Sequence, residues 1–205
     1  MPLSRLVVLC AATAAALLAR RASAQVTVLA GATFSELRGI DDARLDRRTG
    51  AFGGLSFVVP FGRGALALQP ELLVISKGAD APAATGGGVR LNYLEVPVLL
   101  RLSPAPQSAL RPHVYVGPYL GLRITCDISG SAQSCDDVPD LNANELDVGG
   151  VLGGGVMFAL GGLNATVGGR YGFGVSRVAD FRVGNVRESA RNGVFALYVG
   201  LGFGN

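Results

Sequence analysis

Phe195-Ala196-Leu197-Tyr198-Val199-Gly200-Leu201-Gly202-Phe203 sets a large apolar side chain at every second position, with small residues or tyrosine between. Successive side chains of a β-strand point to opposite faces. Phe195, Leu197, Val199, Leu201 and Phe203 therefore share one face, and Ala196, Tyr198, Gly200 and Gly202 share the other. A continuous apolar face backed by a mostly small one suits a wall with lipid outside and a crowded interior within.

The same period runs through the chain. In 112–125, Val114, Val116, Leu120, Leu122 and Ile124 oppose His113, Tyr115, Tyr119 and Arg123. In 162–174, Leu163, Ala165, Val167, Tyr171 and Phe173 oppose Asn164, Thr166 and Arg170. In 146–160, Val148, Leu152, Val156 and Phe158 oppose Asp147 and a row of glycines. In 90–102, Leu94, Val96, Val98, Leu100 and Leu102 oppose Tyr93, Glu95 and Arg101. In 64–77, Leu66, Leu68, Leu72 and Val74 oppose Gln69, Glu71 and Lys77. Two weaker strands, near 26–37 and 50–61, are diluted by glycine and alanine.

The pattern predicts eight strands of roughly 11–14 residues. Ordinary strands run to ~5–6, whereas a tilted membrane-spanning strand needs ~9–11. Backbone groups in lipid must all be paired, so the strands must close on themselves. The expected fold is all-β, an eight-stranded antiparallel transmembrane up-and-down barrel. Connections at 38–49, 78–89, 126–144 and 175–192 are long, and those at 62–63, 103–111 and 160–162 shorter. Short periplasmic turns and long external loops then put both termini in the periplasm. Phe61, Phe158 and Phe203 are expected at one rim, and Tyr171, Phe173 and Phe195 at the other. Pro70, Pro97 and Pro118 fall inside strands and remove ladder donors, which predicts bulges or bends beside them.

The amino terminus reads as an export signal over residues 1–24, leaving 25–205 as the barrel domain. Arg5 supplies a basic n-region, 6–18 an apolar core, and Ala22-Ser23-Ala24 a small-residue cleavage site. The apolar run is too short to span a bilayer as a helix. Without Arg5, Arg20 and Arg21, the 18 basic residues of the whole chain fall level with the 15 acidic ones. A mature chain near neutrality lacks the basic face of a nucleic-acid binder. Cys126 and Cys135, an even pair in an exported chain, read as a disulfide contributing about 2–3 kcal/mol.

Three blocks carry a family resemblance: Pro70-Glu71-Leu72-Leu73 through Lys77-Gly78, Asn92-Tyr93-Leu94-Glu95-Val96-Pro97-Val98-Leu99-Leu100, and Gly117-Pro118-Tyr119-Leu120-Gly121. In this order they resemble the PorT-like outer-membrane β-barrel family. The resemblance implies an eight-stranded outer-membrane barrel and supplies a location rather than a reaction.

The inward faces gather Glu71, Lys77, Glu95, Arg101, Arg123, Asp147 and Arg170. An eight-stranded barrel is just wide enough for side chains to fill, and charges inside it must pair. The expected lumen network has Glu71 and Glu95 meeting Arg101, Arg123 or Arg170. Arginines beside a carboxylate pair lower its pKa, which is wrong for a general acid. His113 begins its strand at the periplasmic end and Ser103 and Ser108 lie in a periplasmic turn, whereas a lipid hydrolase needs its triad near the outer leaflet, and no G-x-S-x-G is present. The acidic loop around Asp127, Asp136, Asp137, Asp140, Glu145 and Asp147 lacks the spacing of a calcium loop. The glycine clusters at 86–88, 149–150 and 153–155 open no helix and are not phosphate loops. No catalytic, cofactor-binding or metal-binding residues are therefore expected. Arg177, Arg182, Arg187 and Arg191 in the last loop suit anionic lipid phosphates, with a merely solvated loop as the alternative reading.

The resulting expectation is a non-enzymatic outer-membrane barrel with a filled polar lumen, structural or interactive through its external loops. Its expected partners are outer-membrane lipid and lipopolysaccharide, with another envelope protein as a further candidate. The alternatives are a narrow gated pore and a soluble exported barrel that encloses an apolar ligand.

Overall fold

In a computed structural model, which describes residues 25–38, 46–62, 64–80, 88–128, 142–176, 179–183 and 186–203, the alternating segments all become strands. They are β1 (Gln25–Arg38), β2 (Asp46–Pro60), β3 (Leu66–Asp80), β4 (Gly88–Leu102), β5 (Leu110–Ile128), β6 (Asn142–Ala143), β7 (Leu146–Leu160), β8 (Leu163–Gly174), β9 (Ala179–Val183) and β10 (Val186–Phe203). Eight of them form one antiparallel ring in the order β1-β2-β3-β4-β5-β7-β8-β10, and β10 returns to β1. The closing ladder runs from Val26 opposite Phe203 to Arg38 opposite Arg191. The segment 1–24, read as an export signal, and Cys135 lie outside the described residues.

The faces fall where the alternation puts them. Leu197 and Val199 are 52% and 59% exposed on the outside, whereas Ala196 and Tyr198 between them are buried. Leu72, Val74, Val98, Leu100, Val114, Val116, Leu152 and Val167 extend the apolar outer wall around the ring. Arg170, Glu71 and Glu95 are buried inside. A soluble barrel enclosing an apolar ligand needs the reverse arrangement, so that alternative is excluded.

The two ends differ. Val26 and Phe203, paired at the start of the closing ladder, share an end with the connections after β2, β4 and β7. Gly161 and Gly162 reverse the chain between β7 and β8 with φ of +55° and +89°, a region that side chains disfavour. Phe61 and Phe203 are exposed at this rim. Toward the opposite rim, Phe34 stacks on Phe195 with centroids 6.3 Å apart, and Tyr171 faces Phe195 across the ladder.

Three features depart from expectation. First, the strands outrun the predicted boundaries at the long-loop end: β2 starts at Asp46, β3 continues to Asp80, and β10 begins at Val186. The short strands β6 and β9 extend this end as well, β9 pairing with β10 and β6 with β9. Strand pairing there continues among polar residues, where apolar alternation no longer marks it. Second, the prolines cause no register slip. The β3–β4 ladder keeps one register on either side of Glu71 and Leu72, and β4–β5 does so around Val98 and Leu99. Individual pairs drop out beside Pro97 and Pro118 while the flanking ladder holds the strands in line. The register shifts lie instead between Arg47 and Phe52 and between Asn92 and Tyr93. Third, the interior is not purely ionic. Leu29, Leu73, Ile75, Leu91, Leu99, Val151 and Val194 are buried there with Tyr93, Tyr115, Tyr119 and Tyr198.

The glycine row on β7 makes room for those rings. Tyr119 lies opposite Gly149 and Tyr115 opposite Gly153. A Cβ on Gly149 would stand 2.6 Å from the Tyr119 ring, and one on Gly153 would stand 2.7 Å from Tyr115. Tyr198 covers Gly168 in the same way. Each tyrosine thus folds across its neighbouring strand and fills space that a side chain would take.

Leu197→Arg, on the outer face, is expected to lower stability by about 2–4 kcal/mol in lipid vesicles if the residue sits near the bilayer midplane. Urea titration of the refolded barrel measures this.

Candidate functional site in the barrel lumen

The inward residues of β3, β4, β7 and β10 converge on Lys77, the only lysine of the chain. Its ammonium lies 2.6 Å from Glu95 Oε2 and 3.0 Å from Asp147 Oδ2. It also stands over the ring of Tyr119 at 4.4 Å and near that of Tyr93 at 5.2 Å. Asp147 Oδ2 further accepts from Asn192 Nδ2 at 2.8 Å and from the Tyr119 hydroxyl at 3.2 Å. Its Oδ1 accepts from Ser176 Oγ at 3.2 Å. Lys77 and Asp147 are 2% and 0% exposed, so this is a desolvated cation between two carboxylates, locked by neutral donors.

A second cluster lies toward the terminal end. Arg170 Nη1 donates to Glu71 Oε2 at 2.7 Å, and Gln69 Nε2 donates to Glu71 Oε1 at 2.8 Å. Arg101 Nη1 in turn donates to Gln69 Oε1 at 3.1 Å. Arg170 lies 5.8 Å from the Phe52 ring centroid, and the hydroxyls of Tyr115 and Tyr198 are 3.2 Å apart. Ile75, Val151 and Ala196 stand between the clusters, around a gap of about 10 Å³ that Lys77, Glu95 and Arg170 also line. That volume is at the lower limit for a single water.

The expected partners are redistributed. Glu71 meets Arg170 directly and Arg101 through Gln69, whereas Glu95 meets Lys77 rather than an arginine. Arg123 lies on β5 opposite Tyr93, half-buried, and its backbone N–H donates to Glu145 O at 2.7 Å. Asp147, counted both with the inward charges and with the acidic loop, belongs to the lumen centre. Gln69 and the tyrosines, placed on the inner face by their alternation but not counted in the network, join it together with Asn192, which the sequence did not single out. Their signal was their inward parity, shared with the charges already chosen.

The other candidates are held apart. His113 is buried with its ring 6.1 Å from that of Tyr115. Ser103 Oγ accepts from Arg101 Nε at 3.3 Å, and Ser108 Oγ donates within its own turn to Ala105 O. Neither serine is bonded to His113 among the described residues. Cys126 is buried opposite Leu91 at the end of β5, and its expected partner Cys135 is not among the described residues. Of the acidic loop, Asp136, Asp137 and Asp140 likewise lie outside them. No group of three metal-ligating side chains occurs among the described residues.

A closed eight-stranded antiparallel barrel with an apolar outer wall and a packed polar lumen defines an outer-membrane barrel protein. Residues 18–180 match the family described as outer membrane protein beta-barrel domain, and the chain belongs to that family. The protein resides in the cell outer membrane. Its fold is similar to that of OprG from Pseudomonas aeruginosa, with a TM-score of 0.58 at 14% identity, covering 90% of this chain and 98% of that one. It is also similar to Neisserial surface protein A, with a TM-score of 0.53 at 15% identity, covering 87% and 96%. At such identities the likeness concerns the fold alone. No curated protein sequence matches the chain.

Lys77→Met leaves Glu95 and Asp147 without their shared cation and is expected to cost about 3–5 kcal/mol. Adding Glu95→Gln and Asp147→Asn removes the stranded charges and recovers most of that loss, measured by urea unfolding in the same vesicles.

Proposed function

We propose that the protein is a non-conducting, non-enzymatic barrel whose work is done at its ends, through the long loops in particular. The observation that carries this reading is the filled lumen. Two hydrogen-bonded clusters, with apolar side chains between them, leave a gap of about 10 Å³. Steady ion flow needs a continuous water column, and opening one here would break the Lys77–Glu95, Lys77–Asp147 and Arg170–Glu71 pairs. The short turns and both described strand ends at one rim support a periplasmic placement of the termini. The narrower resemblance to the PorT-like family rests on its three sequence blocks. Pairing of Cys126 with Cys135 would tie down the loop between β5 and β6.

The partner proposed for the outer end is anionic lipid, with lipopolysaccharide phosphates as the ligand. Arg38 stands directly opposite Arg191, and Arg182 directly opposite Arg187. A phosphate suits the guanidinium fork. Arg191, which is exposed, shares the outward face with Phe195 of the aromatic stack and lies four residues from it toward the long-loop end. That is where headgroup phosphates meet a barrel.

In planar bilayers the purified barrel is expected to show no persistent conductance, and sustained open steps would favour the gated-pore alternative. Arg182→Gln combined with Arg191→Gln is expected to weaken retention of bisphosphorylated lipid A about tenfold while sparing the dephosphorylated form. Native mass spectrometry with the two lipids measures the difference.

A further inference from the structure

The opposite, terminal end of the lumen holds a second feature, independent of the lipid-facing loops. Below the Arg101–Gln69–Glu71–Arg170 chain, the barrel mouth opens into a half-open cavity of about 160 Å³. Its lining includes Gln25, Arg101, Ser103 and Arg111 on the polar side and Val58 and Met157 on the apolar side. Liquid water occupies ~30 Å³ per molecule, so the space admits a small organic molecule.

The charge here is one-sided. Arg101 is 6% exposed, and its described partners, Gln69 and Ser103, are neutral. Arg111 donates to Asn164 Oδ1, also neutral, and its buried Nε has no hydrogen-bond partner. The nearest acid along this chain of contacts, Glu71, already accepts from Arg170 and Gln69 with its two oxygens. Deeper in the lumen, His113 is buried as well. Two guanidinium groups thus line one small cavity with no carboxylate bonded to either among the described residues. Elsewhere in the lumen, Lys77 and Arg170 each have their own carboxylate. Buried cations without counter-charge are unfavourable, and a bound anion relieves them.

We propose that this mouth is a binding site for a small carboxylate bearing a short apolar group. The guanidinium forks match a carboxylate in plane and charge. The Val58 and Met157 side would leave the outer oxygens of a strongly hydrated phosphate without donors, whereas it suits an alkyl or aliphatic side chain. A free short-chain acid and the C-terminal residue of a peptide offer this same chemistry from the periplasmic side.

The test uses the full barrel in lipid nanodiscs with the arginine Nε–H resonances resolved by NMR. Butyrate, N-acetyl-alanyl-leucine with a free carboxylate, the amide of the same dipeptide, and inorganic phosphate are titrated separately. Saturable shifts at Arg101 and Arg111 are expected with one or both carboxylates, and the tighter one identifies the source. The amide is expected to bind at least about tenfold more weakly, and Arg111→Gln to weaken carboxylate binding by a similar factor. Should that variant fail to refold, the native resonances and the acid–amide comparison still decide. Equal binding of acid and amide, shifts that avoid both arginines, a preference for phosphate, or no saturation with either carboxylate would each overturn the proposal.

Discussion

Every peptide group that enters lipid must find its partner within the protein, and ring closure satisfies that requirement. The β1–β10 ladder, from Val26 opposite Phe203 to Arg38 opposite Arg191, joins the first strand to the last. Without it, β1 and β10 would each present an unpaired edge to hydrocarbon, where an orphaned N–H or C=O costs several kcal/mol. Closure at eight strands also sets the bore. It makes the lumen narrow enough that side chains fill it, so inward residues form a core rather than a channel lining.

That core solves an electrostatic problem in two ways. Around Lys77, charge is balanced by two acids, and the spare lone pairs of Asp147 are taken by Asn192, Tyr119 and Ser176. Around Glu71, one acid serves Arg170 directly and polarises a glutamine that holds Arg101. The tyrosines supply bulk with a polar tip, and the glycines facing them supply the space. The barrel mouth at the terminal end departs from this balance, with Arg101 and Arg111 held, among the described residues, by neutral partners.

Much of the fold was legible because a membrane wall imposes a strict two-residue period on its strands. Leu197, Val199 and Leu201 had to share a face, and Arg170 had to oppose Val167 and Phe173. The bilayer then selects which face is outward. Less legible were features in which apolar parity carries no information. The polar extensions of β2, β3 and β10 at the long-loop end pair beyond the predicted boundaries. Pro97 and Pro118 were accommodated by omitted ladder pairs, because neighbouring strands on both sides prevent a slip in register.

Residue types and their alternation alone therefore determined the class, the closed ring, the faces and most of the charges directed inward, Arg48 and Arg111 excepted. Tertiary structure decided which charges meet. Partner choice depends on height along the barrel, which follows from the stagger between neighbouring strands, and no local pattern encodes that stagger. Glu95 and Glu71 have the same parity and similar sequence surroundings. One lies at the level of Lys77 and the other at that of Arg170, and only the assembled ring distinguishes them.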